Sequence, residues 1–237
     1  MHATTKGIVL RRVAYSGSSV IATIYTRQFG TFAFLFRGAG KKGGKSASLQ
    51  PLSRVEVTTQ FKEKNEVQLG MGIQLLQGTF HHNSNPEKIS ISLFLAEVLY
   101  KCLREESPDP DLFDFLNASL EYFESASEYN NFHLIFLLKL SKFFGFQPQG
   151  VWKAEQPYFD LLNGVFTDRK NASLHMLNRE ETALLAQILQ AKFGDKLVVP
   201  NKVRRKLLHG IVEYFQLQLE GFRSLKSLPI MLEIFAE

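Results

Sequence analysis

The chain has 237 residues, of which 45% are hydrophobic, and this is enough to fill one large domain or two ordinary ones. A single cysteine, Cys102, excludes an internal disulfide and a zinc site built from several thiolates of one chain. The sequence contains no signal-like N-terminus and no apolar run of membrane length, so we expect a cytoplasmic protein.

Positive charge is concentrated in the first third of the chain. The net charge is +5, but residues 1–80 contain 11 basic and 3 acidic residues, and the first acidic residue is Glu56. Residues 81–237 contain 17 basic and 20 acidic residues. Ordinary surfaces intersperse both signs, so this distribution is typical of a nucleic-acid-binding surface. An anionic membrane is the alternative partner, although it is usually bound by a basic amphipathic helix.

Residues 1–80 contain five strand-like segments. They lie at residues 7–13, 20–26, 31–37, 54–61 and 67–73. Alternation places Phe32, Phe34 and Phe36 together on an inward face of the third segment, and Val67, Leu69, Met71 and Ile73 on one face of the fifth. Five short strands with glycine-rich bends predict an antiparallel five-stranded β-barrel of the OB type, with an SH3-like barrel as the alternative.

A loop rich in glycine and lysine follows the third strand. Residues Ala39 to Ser46 read AGKKGGKS, which satisfies the relaxed nucleotide-binding loop pattern. Nucleotide binding requires a helix directly after such a loop, and Pro51 followed by a strand-like run argues against one. The exposed glycine backbone and the lysines favour a polyanionic backbone as the ligand, with a loop-dependent NTPase as a less favoured alternative.

The basic residues of this region are the predicted contacts to nucleic-acid phosphates. They are Arg11, Arg12, Arg27, Arg37, Lys41, Lys42, Lys45 and Arg54. Single strands also use aromatic residues on which bases stack, and the nearest candidates are Tyr15, Tyr25 and Phe29. Neither a nucleophile with its base nor a pair of carboxylates in an apolar setting is evident, so we expect no enzymatic activity.

After residue 80 the apolar period changes from two to about 3.6, which predicts a helical domain over residues 81–237. The predicted helices cover about residues 86–106, 110–125, 130–144, 178–192, 200–219 and 227–235. An irregular or hairpin insert is predicted at about residues 146–175, with a turn at Asn163-Gly164. The fold class is therefore α+β, with an OB-type barrel over residues 1–80 followed by a mainly α-helical domain.

A second group of basic residues falls in the first turns of the helix that begins at Pro200. These residues are Lys202, Arg204, Arg205 and Lys206. The positive end of the helix dipole disfavours cations there, and a bound anion would relieve the repulsion. We therefore predict a second anion-binding site there, for which DNA is one candidate ligand.

Short motifs along the chain occur in an order typical of one family. They are residues 7–10 (GIVL), Tyr15, residues 21–26 with Gly30, residues 37–39 (RGA), residues 49–52 (LQPL) and residues 225–227 (LKS). In these motifs the chain resembles the bacterial recombination mediator RecO. The resemblance implies DNA binding, strand annealing and loading of RecA onto DNA coated with single-stranded-DNA-binding protein. It also implies RecR as a partner and the acidic tail of single-stranded-DNA-binding protein as a ligand.

Many members of that family carry a four-cysteine zinc site in the insert. This chain has no cysteine there, so we expect no metal cofactor. The aromatic residues Trp152, Tyr158, Phe159 and Phe166 are instead predicted to hold the insert by packing. An RNA-binding OB-type module on a helical scaffold is the alternative function.

Overall fold

The computed structural model of the chain describes residues 2–41, 48–76, 85–103, 107–170 and 172–234. The chain divides into two compact units, residues 1–125 and residues 126–237. The predicted domain boundary at residue 80 follows the end of the last barrel strand, whereas the first compact unit continues to residue 125. No helix of the described residues combines the length and the apolar character that crossing a membrane requires.

Five strands close into the N-terminal barrel. They are β1 His2–Ala14, β2 Val20–Thr26, β3 Gly30–Phe36, β4 Arg54–Gln60 and β5 Val67–Leu75. The closed order β1-β2-β3-β5-β4 confirms the predicted five-stranded barrel of the OB type. Four of the pairings are antiparallel, and the pairing of β3 with β5 is parallel. The strands β1 and β3 run in the same direction, because both are antiparallel to β2. The strand β4 is antiparallel to β1, and β5 is antiparallel to β4, so β5 runs in the same direction as β3.

Inward-facing residues of these strands fill the barrel core. Phe34 and Phe36 are buried, and Phe32 packs against the same cluster from a partly buried position. The predicted inward face of β3 is therefore confirmed. The ring of Phe36 occupies the space above Gly70, where an added Cβ would lie 2.2 Å from the ring. Glycine at position 70 thus makes room for a core side chain.

The fifth strand does not keep the predicted alternation. Its register with β4 shifts where the pairing passes from Gly70 to Gly72 and skips Met71. Such a bulge changes which face the following residues present. Ile73 is consequently buried, while Val67, Leu69 and Met71 are exposed. The prediction that these four residues share one face is wrong.

Two helices complete the N-terminal unit. They are α1 Pro86–Cys102 and α2 Pro110–Ser125. The Asn85 side chain caps α1 by accepting a hydrogen bond from the Lys88 amide, and Pro86 takes the first helical position as predicted. Lys88 Nζ donates to the carbonyl oxygens of Phe123 at 3.0 Å and Glu124 at 3.1 Å. This contact ties α1 to the last turn of α2, and burial lowers the pKa of Lys88.

The second unit is mainly helical and contains one small sheet. Its helices are α3 Phe132–Phe143, α4 Arg179–Gln190, α5 Asn201–Gln218 and α6 Leu228–Ile234, and its strands are β6 Tyr158–Asp160, β7 Val165–Thr167 and β8 Met176–Leu177. The sheet has the order β7-β6-β8. The predicted hairpin insert is therefore present, with β8 as an additional strand. The predicted capping box of α4, formed by Asn178 and Glu181, is also present.

A buried carboxylate closes the insert. Asp160 accepts hydrogen bonds from Asn163 Nδ2 and Ser173 Oγ, both at 2.8 Å, and from the backbone amides of Leu162 and Asn163. Burial alone raises the pKa of Asp160, but these hydrogen bonds outweigh burial, so the pKa lies below its ordinary value. The carboxylate thus joins the turn after β6 to the segment before β8.

Aromatic packing supports the same insert. Phe159 and Phe166 are buried and meet edge to face, with ring centres 5.1 Å apart. The Arg179 guanidinium lies over the Tyr158 ring, 5.6 Å from its centre. Trp152 is 39% exposed, so it does not fill the interior as predicted. Among the described residues, no group of three or more His, Cys, Asp or Glu side chains is placed to hold a metal ion.

Candidate nucleic-acid interface

Outward-facing side chains of β1, β2, β3 and β5 form one surface of the barrel. The register places Val13 opposite Ile21, Ile21 opposite Leu35 and Leu35 opposite Leu69. These four residues, here called the aliphatic row, cross adjacent strands that are about 4.8 Å apart. The next outward row consists of Arg11, Thr23, Ala33 and Val67. Val13 is 48% exposed and Leu69 is 39% exposed, so the aliphatic row reaches solvent.

Exposed basic residues border this surface. Arg11, Arg37 and Lys41 are exposed at its edges, and Arg12, which is also exposed, lies opposite Ala22 on the alternate face of β1. The Arg11 guanidinium lies 5.2 Å from the centre of the Tyr100 ring, and its Nη1 donates to Tyr100 Oη at 3.2 Å. These contacts hold the Arg11 side chain in place while leaving it exposed.

The glycine-rich loop begins beside the turn between β1 and β2. Gly38 has a φ of 71°, a left-handed conformation that suits glycine. The Gly40 amide then donates to the Ser18 carbonyl at 2.8 Å. This hydrogen bond holds the start of the loop, which includes Lys41, against the turn between β1 and β2. Lys42 and Lys45 lie outside the described residues, so their DNA contacts stay a prediction.

The exit of the loop does not resemble a nucleotide-binding motif. Residues 48–49 form a single 3₁₀ turn, residues 51–52 form a second turn, and β4 begins at Arg54. A phosphate cradle would need a helix at this place, because the amides of its first turn hold the phosphates. The local structure after the loop therefore does not support the NTPase alternative.

Arg27 is exposed but carries an ion pair. Its Nε donates to Asp114 Oδ1 at 2.9 Å and its Nη2 donates to Asp114 Oδ2 at 3.0 Å. The hydrogen bond from Arg27 lowers the pKa of Asp114. The pair borders a cleft of about 790 Å³ that Lys6 and Pro110 also line. Because Asp114 balances its charge, we do not include Arg27 among the proposed phosphate contacts.

Arg54 serves the interior of the N-terminal unit. Its side chain is 3% exposed, and its Nη1 forms an ion pair with Glu121 at 3.1 Å. The same nitrogen lies 3.5 Å from Asn117 Oδ1. Burial removes Arg54 from the residues that can contact a phosphate directly, although the sequence pattern had grouped it with them.

The three candidate stacking residues have different environments. Tyr25 is fully buried, its ring lies 6.1 Å from the Phe113 ring, and its hydroxyl donates to the Asp109 carbonyl at 3.3 Å. Phe29 stacks on Phe61, with ring centres 4.0 Å apart. Tyr15 is 57% exposed. Burial excludes Tyr25 as a stacking platform, and of the three only Tyr15 offers a largely exposed ring.

The second predicted site lies on α5, and one of its four predicted basic residues is not available to a ligand. Arg204 is buried, where its Nε donates to Asn131 Oδ1 at 3.1 Å and its Nη2 donates to the Val199 carbonyl at 3.0 Å. Lys202 and Lys206 are exposed, and Arg205 is partly exposed. The first turn of α5 contains no acidic residue. Three basic side chains therefore remain for an anionic partner.

These observations define a class of protein, in which an OB-type barrel with a basic surface precedes a helical domain. Family models described as "Recombination protein O N terminal" and "Recombination protein O C terminal" match residues 1–77 and 83–229. The chain belongs to the RecO family of DNA repair proteins.

Curated relatives agree with this assignment over the full length of the chain. The DNA repair protein RecO of Flavobacterium johnsoniae is 32% identical over 240 residues, and the alignment covers 100% of both chains. The DNA repair proteins RecO of Azobacteroides pseudotrichonymphae and Bacteroides fragilis are 30% and 31% identical, and each alignment covers 98% of both chains. The family resemblance seen in the sequence motifs is thus confirmed.

Proposed function

We propose that the chain is a non-enzymatic recombination mediator that binds single- and double-stranded DNA and promotes annealing of complementary strands. In this role it assists loading of RecA onto DNA coated with single-stranded-DNA-binding protein. The observation that carries the proposal is the set of exposed cations Arg11, Arg12, Arg37 and Lys41 on the barrel, in a chain with no acidic residue before Glu56. The DNA repair function named for the relatives supports it.

Annealing follows from the electrostatics of this surface. Two DNA strands repel each other through their phosphates, and cations that neutralise phosphates lower this repulsion. Contacts to phosphates carry no sequence information. Base complementarity alone then decides which strands pair, and a catalytic group is not required.

The salt dependence of binding tests the proposed DNA contacts. If four to six phosphates are contacted, log affinity for a single strand falls against log salt with a slope of about 0.7 per contact. Replacement of Lys41, Lys42 and Lys45 by Gln removes three charges, so we expect the slope to fall by about 2. Fluorescence anisotropy of a labelled oligonucleotide measures this slope. The titrations are made between about 50 and 200 mM salt, because affinity changes strongly over this range.

A triple variant with Lys142→Gln, Lys153→Gln and Lys196→Gln is the matched control, because it also removes three charges and all three lysines are exposed in the helical unit. The control should keep the wild-type slope. An unchanged slope in the loop variant would place the DNA contacts elsewhere. Tighter binding of RNA than of DNA would favour the RNA-binding module, and ATP turnover that is lost in Lys45→Ala would favour the NTPase.

The helical unit is proposed to bind protein partners, namely RecR and the acidic C-terminal tail of single-stranded-DNA-binding protein. Lys202, Arg205 and Lys206 on α5 supply the positive charge for the tail. A double variant with Lys202→Gln and Lys206→Gln should weaken binding of a tail peptide about fivefold, because two exposed ion pairs are lost. Isothermal titration with the peptide measures this change, and Lys142→Gln serves as the control. Equal affinities for the double variant and the wild type would exclude this site.

A further inference from the structure

The aliphatic row lies in the middle of the proposed DNA surface and offers no aromatic face. Its members are Val13, Ile21, Leu35 and Leu69. Within β1, β2, β3 and β5 the aromatic residues are Tyr25 and the three phenylalanines of β3. Tyr25, Phe34 and Phe36 are buried, and Phe32 packs against the barrel core. The exposed ring of Tyr15 lies beyond the end of β1 and outside the aliphatic row. A base placed on the aliphatic row itself would therefore meet aliphatic side chains.

Charge on the same surface favours a sugar–phosphate backbone. The strands β1, β2, β3 and β5 contain no Asp or Glu. Arg11 lies in the outward row on one side of the aliphatic row, and Arg37 follows Leu35 by two positions on its other side. Cations on both sides of an apolar row match a polymer in which phosphates alternate with the hydrocarbon faces of deoxyribose rings.

We infer that the barrel holds a single DNA strand by its sugar–phosphate edge, with deoxyribose rings against the aliphatic row and the bases turned towards solvent. This inference rests on the proposed DNA-binding function and specifies how the strand is bound. Bases stack well on aromatic rings, and each such stack tightens binding by about tenfold. The aliphatic row offers no such gain, so the bases remain free to pair with a second strand.

An oligonucleotide without bases tests this mode of binding. We expect an abasic 20-mer and a thymidine 20-mer to bind within about threefold of each other at the same salt concentration, because both present the same sugars and phosphates. If the thymidine 20-mer binds and the abasic 20-mer binds more than tenfold more weakly, the inference is wrong and the DNA-binding function stands. If neither oligonucleotide binds, the proposed function itself fails.

A variant that adds an aromatic ring provides the second test. Leu69→Tyr places a ring in the aliphatic row at a site that is 39% exposed. We expect this variant to bind the thymidine 20-mer about five to ten times more tightly, to bind the abasic 20-mer unchanged, and to anneal complementary oligonucleotides more slowly. The slower annealing follows because a stacked base is withheld from pairing.

Leu93→Tyr is the matched control, because Leu93 is a 49% exposed leucine on the helix α1 and is not part of the aliphatic row. The control should change neither affinity nor annealing. If Leu69→Tyr behaves like Leu93→Tyr in both measurements, the aliphatic row does not contact DNA, as would be found if it docked a protein.

Discussion

Replacement of Gly70 by Ala should destabilise the N-terminal unit by about 3 kcal/mol, a large effect for one methyl group. The added Cβ would lie 2.2 Å from the ring of Phe36, which is itself buried in the barrel core. The ring cannot move without displacing other core residues, because barrel interiors are close-packed. Differential scanning calorimetry of the full chain measures the loss as a lower Tm of the barrel transition.

Gly72→Ala is the matched control for this prediction. Gly72 lies in the same strand, but an added Cβ there would meet Thr58 at 3.5 Å, an ordinary contact distance. The control should therefore keep most of the wild-type stability, apart from the small effect of the changed backbone entropy. Equal stability of the two variants would contradict the assignment of Phe36 to the space above Gly70.

Acidification should destabilise the helical unit through His133. This residue is fully buried in α3, and burial together with the charge of Arg204 lowers its pKa to about 3. In the unfolded chain His133 binds a proton as the pH falls below about 6.5, whereas in the folded chain His133 stays neutral down to about pH 3. The free energy of unfolding therefore decreases as the pH falls from about 6.5 to about 3, with a slope that approaches about 1.4 kcal/mol per pH unit. Above about pH 6.5 this contribution is constant.

His133→Phe should flatten this dependence, since phenylalanine does not titrate. Urea unfolding at pH 7 and pH 5, followed by the fluorescence of Trp152, reports on the helical unit, because Trp152 is the one tryptophan of the chain. The difference in unfolding free energy between the two pH values should be smaller in the variant by about 2 kcal/mol. His209→Phe, at an exposed position of α5, should keep the wild-type difference. A variant that retains the full pH dependence would exclude His133 as its source.

Local patterns predicted the elements of this fold well. Alternation placed the five barrel strands, and the Asn85 cap with Pro86 and the Asn178 capping box marked where α1 and α4 begin. These signals are carried by neighbouring residues, so they can be read from the sequence alone. The bulge at Met71 was not predicted, because a register shift depends on how β5 pairs with β4.

The candidate site was harder to predict than the fold. Arg54 and Arg204 look like their basic neighbours in the sequence, yet both are buried by partners far along the chain. Arg54 meets Glu121, 67 positions away, and Arg204 meets Asn131, 73 positions away. Exposed cations such as Arg37 have the same local signature as these two. Residue type and spacing therefore predicted a basic surface but could not separate exposed cations from buried ones.

The carboxylate of Asp160 has a consequence for a protein that works on damaged DNA. Oxidants that damage DNA also convert exposed thiolates to sulfinic and sulfonic acids, and a zinc site built from cysteines is lost by this chemistry. Asp160 closes the insert through hydrogen bonds to Asn163 and Ser173, and none of these three side chains takes part in that chemistry. The chain's one thiol, Cys102, is buried. Closure of the insert by these three side chains should therefore be insensitive to thiol oxidation.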